Sequence, residues 1–447
     1  MTTAATPVAG GDTVAPIRAT AWGAVWLLAL MLFSGAVMKT VFSPLQEAAK
    51  LDMHLSDFAI GLVQGLATGT PVAIASIPLA WVIDHGHRVR LLIYLLVTCV
   101  AGAFLTAFAG GLTVLFIARM LSALGATCSI AVVISLAADM CAPERRGRAV
   151  VLLGLGAYAG TAAAFALGSV LLAQLGLHPP ALLKGITPWR GTHLLIGMAG
   201  AVLIVPLLFL REPERQEVEV QNAAFGPTIR ALLAKRRFLL PLFVGQIGVT
   251  IADTAAGIWA TPVLIRGYHL QLAQFAGWVA AIIFVGGFFG SILGGFGADF
   301  GHKSGRRGGL LLTAVISTAI GVPAAIFPIM PTVPGFALMF FFLVISGTIT
   351  SVVATTAIAV LIPNEERGAC LAMFGVINSI IGMSLAPTIV TLGSWAMGGE
   401  QHLAMSLAIT GGVTGVISCA GYIVAMRNAP LGATHPAQAP VAEPAAA

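Results

Sequence analysis

The sequence predicts an all-α integral membrane protein with twelve transmembrane helices in two pseudo-symmetric six-helix bundles. Three observations predict it. Hydrophobic residues make up 58% of the chain and charged residues 9%. A soluble domain carries about 25% charged residues and could not hide this much apolar surface in one core. Apolar runs of spanning length begin near residues 21, 56, 89, 112, 147 and 192, and again near 237, 272, 308, 335, 367 and 402. Two landmarks also recur at almost one offset. Asp84, with Arg88 and Arg90 in the turn after it, returns 215 residues later as Asp299 with Arg306 and Arg307. The pair Arg146-Gly147 returns 221 residues later as Arg367-Gly368. Such repetition marks a chain built twice from one half.

Each segment then takes its place. Residues 1–20 form an Ala/Thr-rich tail without the basic start, short apolar core and cleavage site of a removed leader, so the first span is retained. Residues 21–211 hold six spans, 212–236 a polar linker, and 237–427 six more. Residues 428–447 are a Pro/Ala-rich tail that cannot pack and is expected to be disordered. The spans are helices, because lipid offers exposed backbone no partner and nothing alternates like a barrel strand. The series Gly286-xxx-Gly290-xxx-Gly294 has the spacing that lets helix backbones approach closely.

With both termini cytoplasmic, 17 of the 23 lysines and arginines fall in cytoplasmic segments. This positive-inside bias supports the count of twelve and sets the orientation. The net charge of +6 therefore belongs to short membrane loops, and no nucleic-acid partner is expected. The five cysteines lie in or beside apolar runs without paired spacing, which implies neither a disulfide framework nor a zinc site.

Charges within the spans carry the functional reading. Lys39 lies about nine residues, or ~13 Å, from the outer end of the first span. Arg119 lies about seven residues, or ~10 Å, into the fourth span from the same side. A charge at that depth costs at least about 2.5 kcal/mol unless it faces the interior, a water-filled path or a partner. Two cations without an acid nearby in their own half point to an anionic ligand. Snorkelling to the interface is the plain alternative. Asp253 is the one carboxylate near the middle of a span, where it can exchange its charge for a coupling proton or hydrogen-bond a neighbouring helix. Gln64, Tyr158, Gln246, Trp259 and Asn378 complete the candidate solute contacts, each weighed first as a packing or interhelical hydrogen-bond residue. Trp259, three residues before Pro262, could cap a cavity beneath a kink. Asp84, Arg88 and Arg90, with the repeats Asp299 and Arg306, form the candidate gate. There a carboxylate can bond a helix N-terminus or an arginine in one conformation and release it in the other. A solvated loop acid is the alternative, and the repetition favours the latch.

Enzymatic readings fail. The histidines lie at span ends, in loops or in the tail, so neither a metal constellation nor a membrane hydrolase pair is expected. Gly297-Ala-Asp-Phe-Gly301-His-Lys-Ser304 departs from a phosphate loop because His302 breaks the spacing and a span, not a strand, precedes it. No cofactor or metal is expected.

The stretch from Pro78 to Arg90 resembles the signature loop between the second and third helices of the major facilitator superfamily. The likeness extends over Ala21 to Arg427. Asp84 and Arg88 match that loop, whereas His85 and His87 stand where a basic and a small polar residue are more usual. Within the superfamily the chain is most similar to the spinster-like and organic anion:cation symporter branches. Arg119, Trp189-Arg190, Arg211-Glu-Pro-Glu-Arg215 and Trp259-Ala-Thr-Pro262 carry that closer match. The resemblance implies the superfamily's fold and a secondary active transporter of a small organic solute. It would work as a monomer, by alternating access, in a bacterial-type inner membrane among its lipids. Lys39 and Arg119 make an organic anion the expected solute, moved with protons or by exchange. The alternative is export of an amphipathic or lipid-like solute. Transporters of this kind often carry an acid–arginine pair in helix 1 and a glutamate in helix 4. Met38-Lys39 and Ala126 stand there instead, so the usual first-half proton acids are missing. A channel or receptor is disfavoured, because no filter segment repeats and no folded soluble domain is encoded.

Overall fold

Lipid sets one demand on a spanning backbone, that its N–H and C=O groups be satisfied within the protein. The computed structural model meets it with helices throughout the spans, and it describes residues 20–215 and 225–430. Among the described residues, twelve helical stretches are long and apolar enough to cross a membrane. They are α1 (Trp22–Asp52), α2 (Asp57–Gln64 continued by Leu66–His85), α3 (Arg88–Ala107), α4 (Leu112–Met140), α5 (Pro143–Leu177) and α6 (Pro188–Phe209). The second six are α7 (Arg236–Gly267), α8 (Leu272–Lys303), α9 (Gly309–Ile329), α10 (Val333–Leu361), α11 (Asn364–Ala396) and α12 (Glu400–Asn428). A short helix, Phe225–Ala234, precedes α7. The expected tails and the middle of the expected linker, at 1–19, 431–447 and 216–224, lie outside the described residues.

The contacts repeat as the sequence does. In the first half α1 packs on α4, α5 and α6, α3 packs on α4 and α6, and α2 packs on α4. Adding six to each number gives the second half: α7 on α10, α11 and α12, α9 on α10 and α12, and α8 on α10. The halves meet through α5 against α8 and through its symmetry mate, α11 against α2, with the far end of α1 touching α7. Successive spans alternate in direction, so Thr20, the α2–α3 loop and Pro430 share one face, called here the terminal face. The α1–α2, α5–α6 and α7–α8 connections lie at the opposite face.

Small residues set the closest approaches. A Cβ at Gly286, Gly290 or Gly294 would come within 2.9, 2.8 and 2.9 Å of Val344, Thr348 and Val352 on α10. Lipid supplies no hydrophobic drive between helices, so this close van der Waals contact is what holds α8 to α10. Between the halves, a Cβ at Gly287 would meet the Tyr158 ring at 2.3 Å. α2 reaches α11 where the latter loosens into a π-turn at Asn378–Met383. There the Ser379 hydroxyl donates to the Gly69 carbonyl at 2.9 Å.

Three crossings separate the α5–α6 loop from the end of α8. An impermeant thiol reagent should therefore label Leu182→Cys and Lys303→Cys from opposite sides of sealed vesicles. Labelling of both from one side would contradict this path.

Candidate functional site: a cavity between the halves

Between the two halves lies a central cavity of about 270 Å³. The first half lines it with Lys39, Ser43, Gln64, Thr68, Arg119 and Tyr158. The second half contributes Asp253 and Thr254 among Ile258, Ile283, Phe340 and Val344. One wall is cationic and hydroxylated; the other is mostly apolar and holds a carboxylate.

Arg119 is only 2% exposed. α4 aims it at α1, where Nη2 donates to the Lys39 carbonyl at 2.6 Å and lies 3.4 Å from Gln64 Oε1. Its guanidinium sits 5.0 Å from the centre of the Phe42 ring. Nε and Nη1 are buried without a partner. The Lys39 ammonium donates to Thr127 Oγ1 at 3.2 Å. The two cations thus sit side by side at one depth, as their positions in the spans implied. Gln64 is held in place by donating Nε2 to Ser43 Oγ at 3.1 Å and to Gln46 Oε1 at 3.2 Å. Gln46 in turn donates to the Ile258 carbonyl of α7 at 2.5 Å, crossing between the halves. Donors that are buried and unmatched cost free energy until an acceptor arrives, and a guanidinium fork suits a carboxylate or phosphate.

Three sequence candidates do not line this cavity. Trp259 is fully buried and donates Nε1 to the Pro387 carbonyl at 3.2 Å, tying α7 to α11 instead of capping the space. Gln246 accepts from the Tyr422 hydroxyl at 2.6 Å and donates to Thr250 at 3.3 Å, inside the second half. Asn378 opens the π-turn with its Oδ1 buried and unpartnered, away from the lining. His193, placed at a span end by the sequence, is buried in α6 against Phe42, with Nδ1 2.9 Å from the Trp189 carbonyl.

At the opposite face the halves are joined by ions. Arg266 of α7 donates to both oxygens of Glu47 at 2.9 and 2.5 Å and to both of Asp57 at 2.6 and 2.8 Å. Lys50 bridges Asp57 at 2.6 Å and Glu400 of α12 at 2.5 Å. Glu400 also accepts the Asp57 backbone N–H at 2.7 Å. Lys50, Arg266, Glu47, Asp57 and Glu400 carry no role in the sequence reading. Complementary charges at the ends of four spans on one face were the available signal.

At the terminal face the Arg88 and Lys235 ion pairs, among the described residues, each lie inside one half. Arg88, 2% exposed, donates to Asp139 at 2.5 Å and to Glu212 at 2.9 Å. The other Glu212 oxygen accepts the Val89 N–H at 2.8 Å, placing an anion at the N-terminus of α3. Arg215 caps the end of α2 by donating to the carbonyls of Ile83 at 2.7 Å, Gly86 at 2.9 Å, and Asp84. Lys235 pairs with Glu366 in the second half. The bond expected of the Asp84 carboxylate is not among the described contacts; Arg215 meets the Asp84 backbone carbonyl. Asp84, Arg90, Asp299 and Arg306 are exposed. Arg307, not Arg306, anchors the repeat loop by donating to the Ala429 carbonyl at 2.9 Å.

This architecture coincides with a family match. The pattern of the Major Facilitator Superfamily covers residues 27–387. The chain belongs to the major facilitator superfamily. This major facilitator protein is 26% identical over 381 residues to an MFS-type efflux pump of Mycolicibacterium smegmatis, covering 83% of each chain. It is 28% identical over 270 residues to a probable sugar efflux transporter of Haemophilus influenzae, covering 59% of this chain and 62% of that one. Its fold matches a bacterial homologue of the human lysosomal transporter Spinster, solved in an inward-facing and unoccupied conformation, with a TM-score of 0.79. That match has 21% identity and covers 92% of this chain and 98% of the other. The protein is an integral membrane transporter and not an enzyme.

The two loop residues make opposite forecasts. Arg88→Ala strips Asp139 and Glu212 of this cation and should cost about 3 kcal/mol, read as a lower melting temperature of the purified transporter. Asp84→Asn should stay within about 0.5 kcal/mol of the parent. Equal losses would show that the Asp84 carboxylate anchors the loop as much as the arginine does.

Proposed function

We propose that this transporter moves a small organic anion by alternating access, with Asp253 carrying a coupled proton. The observation that carries the reading is Arg119, buried beside Lys39 in the shared cavity with two guanidinium nitrogens unpartnered. An anionic group supplies the acceptors they lack. The cavity also has room for the body of the solute. About 270 Å³ corresponds to roughly nine waters at ~30 Å³ each, and sites for drug-sized ligands start near 300 Å³. That suits a small acid with an apolar body against Ile283, Phe340 and Val344. The two cations in the cavity wall, which a lipid-like body does not need, favour the anion over that alternative.

Charge supports the coupling. Ionised, Asp253 offsets part of the field of Lys39 and Arg119; protonated, it leaves both cations to the solute. Proton and anion therefore bind together and symport follows. The closure between Arg266, Glu47, Asp57, Lys50 and Glu400 must open on the other half of the cycle. In this reading the terminal face, which holds most of the basic residues, is the cytoplasmic one. A single chain carries a complete cavity and works alone.

A thermal-shift panel of organic acids and lysolipids on the purified transporter should find acids that stabilise it. For the best of them, Lys39→Gln or Arg119→Gln should weaken binding by about 2 kcal/mol or more, and a neutral analogue should lose much less. Stabilisation by lysolipids and by no acid would overturn the anion reading. In proteoliposomes, Asp253→Asn should abolish accumulation driven by a pH gradient while solute exchange persists. Gradient-driven uptake that survives the substitution would rule out the proton role.

A further inference from the structure

Asp253 faces two spaces. On the side away from the central cavity it lines a small chamber of about 20 Å³ between α7, α9, α10 and α12. Among the described residues it is the one side chain that lines both. Such a volume holds one water or one small ion. The other polar groups in the chamber wall are Thr318 of α9 and Ser346 of α10, 2% and 4% exposed. Glycines on three helices leave the space open. A Cβ at Gly347 would come within 3.0 Å of the Asp253 carboxylate, and one at Gly321 within 2.8 Å of Ser346 Oγ.

Both hydroxyls have already given their protons away. Thr318 donates to the Ala314 carbonyl at 2.8 Å, and Ser346 donates to the Ser317 carbonyl at 2.7 Å. A hydroxyl has one proton and two lone pairs, so these two oxygens offer the chamber only acceptors. The carboxylate is an acceptor as well. A buried space lined by acceptors is costly while empty of donors, and it welcomes a donor or a positive charge. An anionic solute is excluded on both size and sign.

We infer that this chamber is the seat of the coupling cation. It holds one unit of positive charge behind Asp253 while the solute anion lies in front of it. The charge is either the proton of Asp253 itself, donated to the Ser346 or Thr318 oxygen, or a sodium ion beside the carboxylate. The inference rests on the reading of Asp253 as the coupling residue. The charged or titratable groups that face Asp253 are Lys39, Arg119 and Tyr158, all across the central cavity. α9, α10 and α12 bring hydroxyls, glycines and Leu343 to the chamber, and α8 and α11 bring Ile283 and Met383 to the cavity.

The test uses the purified full-length transporter without solute. Its melting temperature is followed over a pH series, in sodium chloride and in choline chloride at equal ionic strength. A rise with sodium supports the ion as the source; a response to pH alone supports the proton. In either case Asp253→Asn should remove the response. If the charge is a proton, one of Ser346→Ala and Thr318→Val, the one that deletes its acceptor, should move the midpoint by about one pH unit; if it is sodium, each should move it by about tenfold in sodium concentration. Thr318→Ser, which keeps the oxygen, should retain the parent midpoint, and midpoints are compared so that a general loss of stability does not count. Midpoints unmoved in Ser346→Ala and Thr318→Val would overturn the chamber. If Asp253→Asn then still loses gradient-driven uptake, the wider reading of Asp253 stands without it. If uptake survives in Asp253→Asn, that reading is the one that falls.

Discussion

Charge is tolerable inside a membrane protein only where something compensates it, and this cost sorts the side chains of the whole molecule. At the two faces the ions are matched. Arg266 spends its guanidinium on both oxygens of two carboxylates. Arg88 is enclosed by Asp139 and Glu212. In the middle the matching stops. Arg119 keeps buried nitrogens without acceptors, and Lys39 has a threonine hydroxyl where an anion would fit. A structural ion pair is finished when the chain folds; on the proposed reading, the unfinished one is completed by the solute.

The two kinds of finished pair differ in hydration. The Arg88–Asp139 pair has side chains 3% and 11% exposed and lies within one half, so it behaves as a permanent staple. The pairs joining the halves are wetter: Lys50–Glu400 is 14% and 48% exposed, and Arg266 is 27% exposed. Water that reaches a pair lowers both its strength and the cost of separating it. The ties that must break for the halves to part are therefore the ones solvent can replace. Asp57, at 4%, is the dry node that two cations share, which makes it the most expensive of the group to strand.

Depth was legible in the sequence, and direction was not. Hydropathy and length placed all twelve spans, because the demand that backbone groups be satisfied leaves helices of that length few alternatives. The repeat of Asp84 in Asp299 announced two equivalent halves, and the contacts between helices obey it. Depth alone singled out Lys39, Arg119 and Asp253, and all three line the central cavity. Depth fails for Gln246, Trp259 and Asn378, which sit at suitable heights but face neighbouring helices, since one sequence without a clear polar stripe does not fix the rotation of a span. Pairing was hidden for another reason. Glu47 and Arg266 are 219 residues apart, and Lys50 and Glu400 are 350 apart. Only the closure of one half on the other brings them together. The signature loop showed where an anchor would be, while the choice of Arg88 over Asp84 depended on the exit segment from Glu212 to Arg215 folding back onto it.

A carboxylate shared by two spaces gives coupling a simple physical form. On the proposed reading, the cation behind Asp253 and the anion before it never touch, and each alters the charge the other meets. With the cation absent, Asp253 opposes the solute and competes for Lys39 and Arg119. With it present, that opposition is cancelled. Two unit charges about 8 Å apart interact by about 2 kcal/mol at an effective dielectric near 20, which is roughly thirtyfold in affinity. Linkage makes the effect mutual, so the bound anion tightens the hold on the cation by the same factor. Coupling of this size needs no long-range relay through the bundle. It needs a thin wall, and on the proposed reading that wall is Asp253 itself, which lines the central cavity on one side and the glycine-lined chamber on the other.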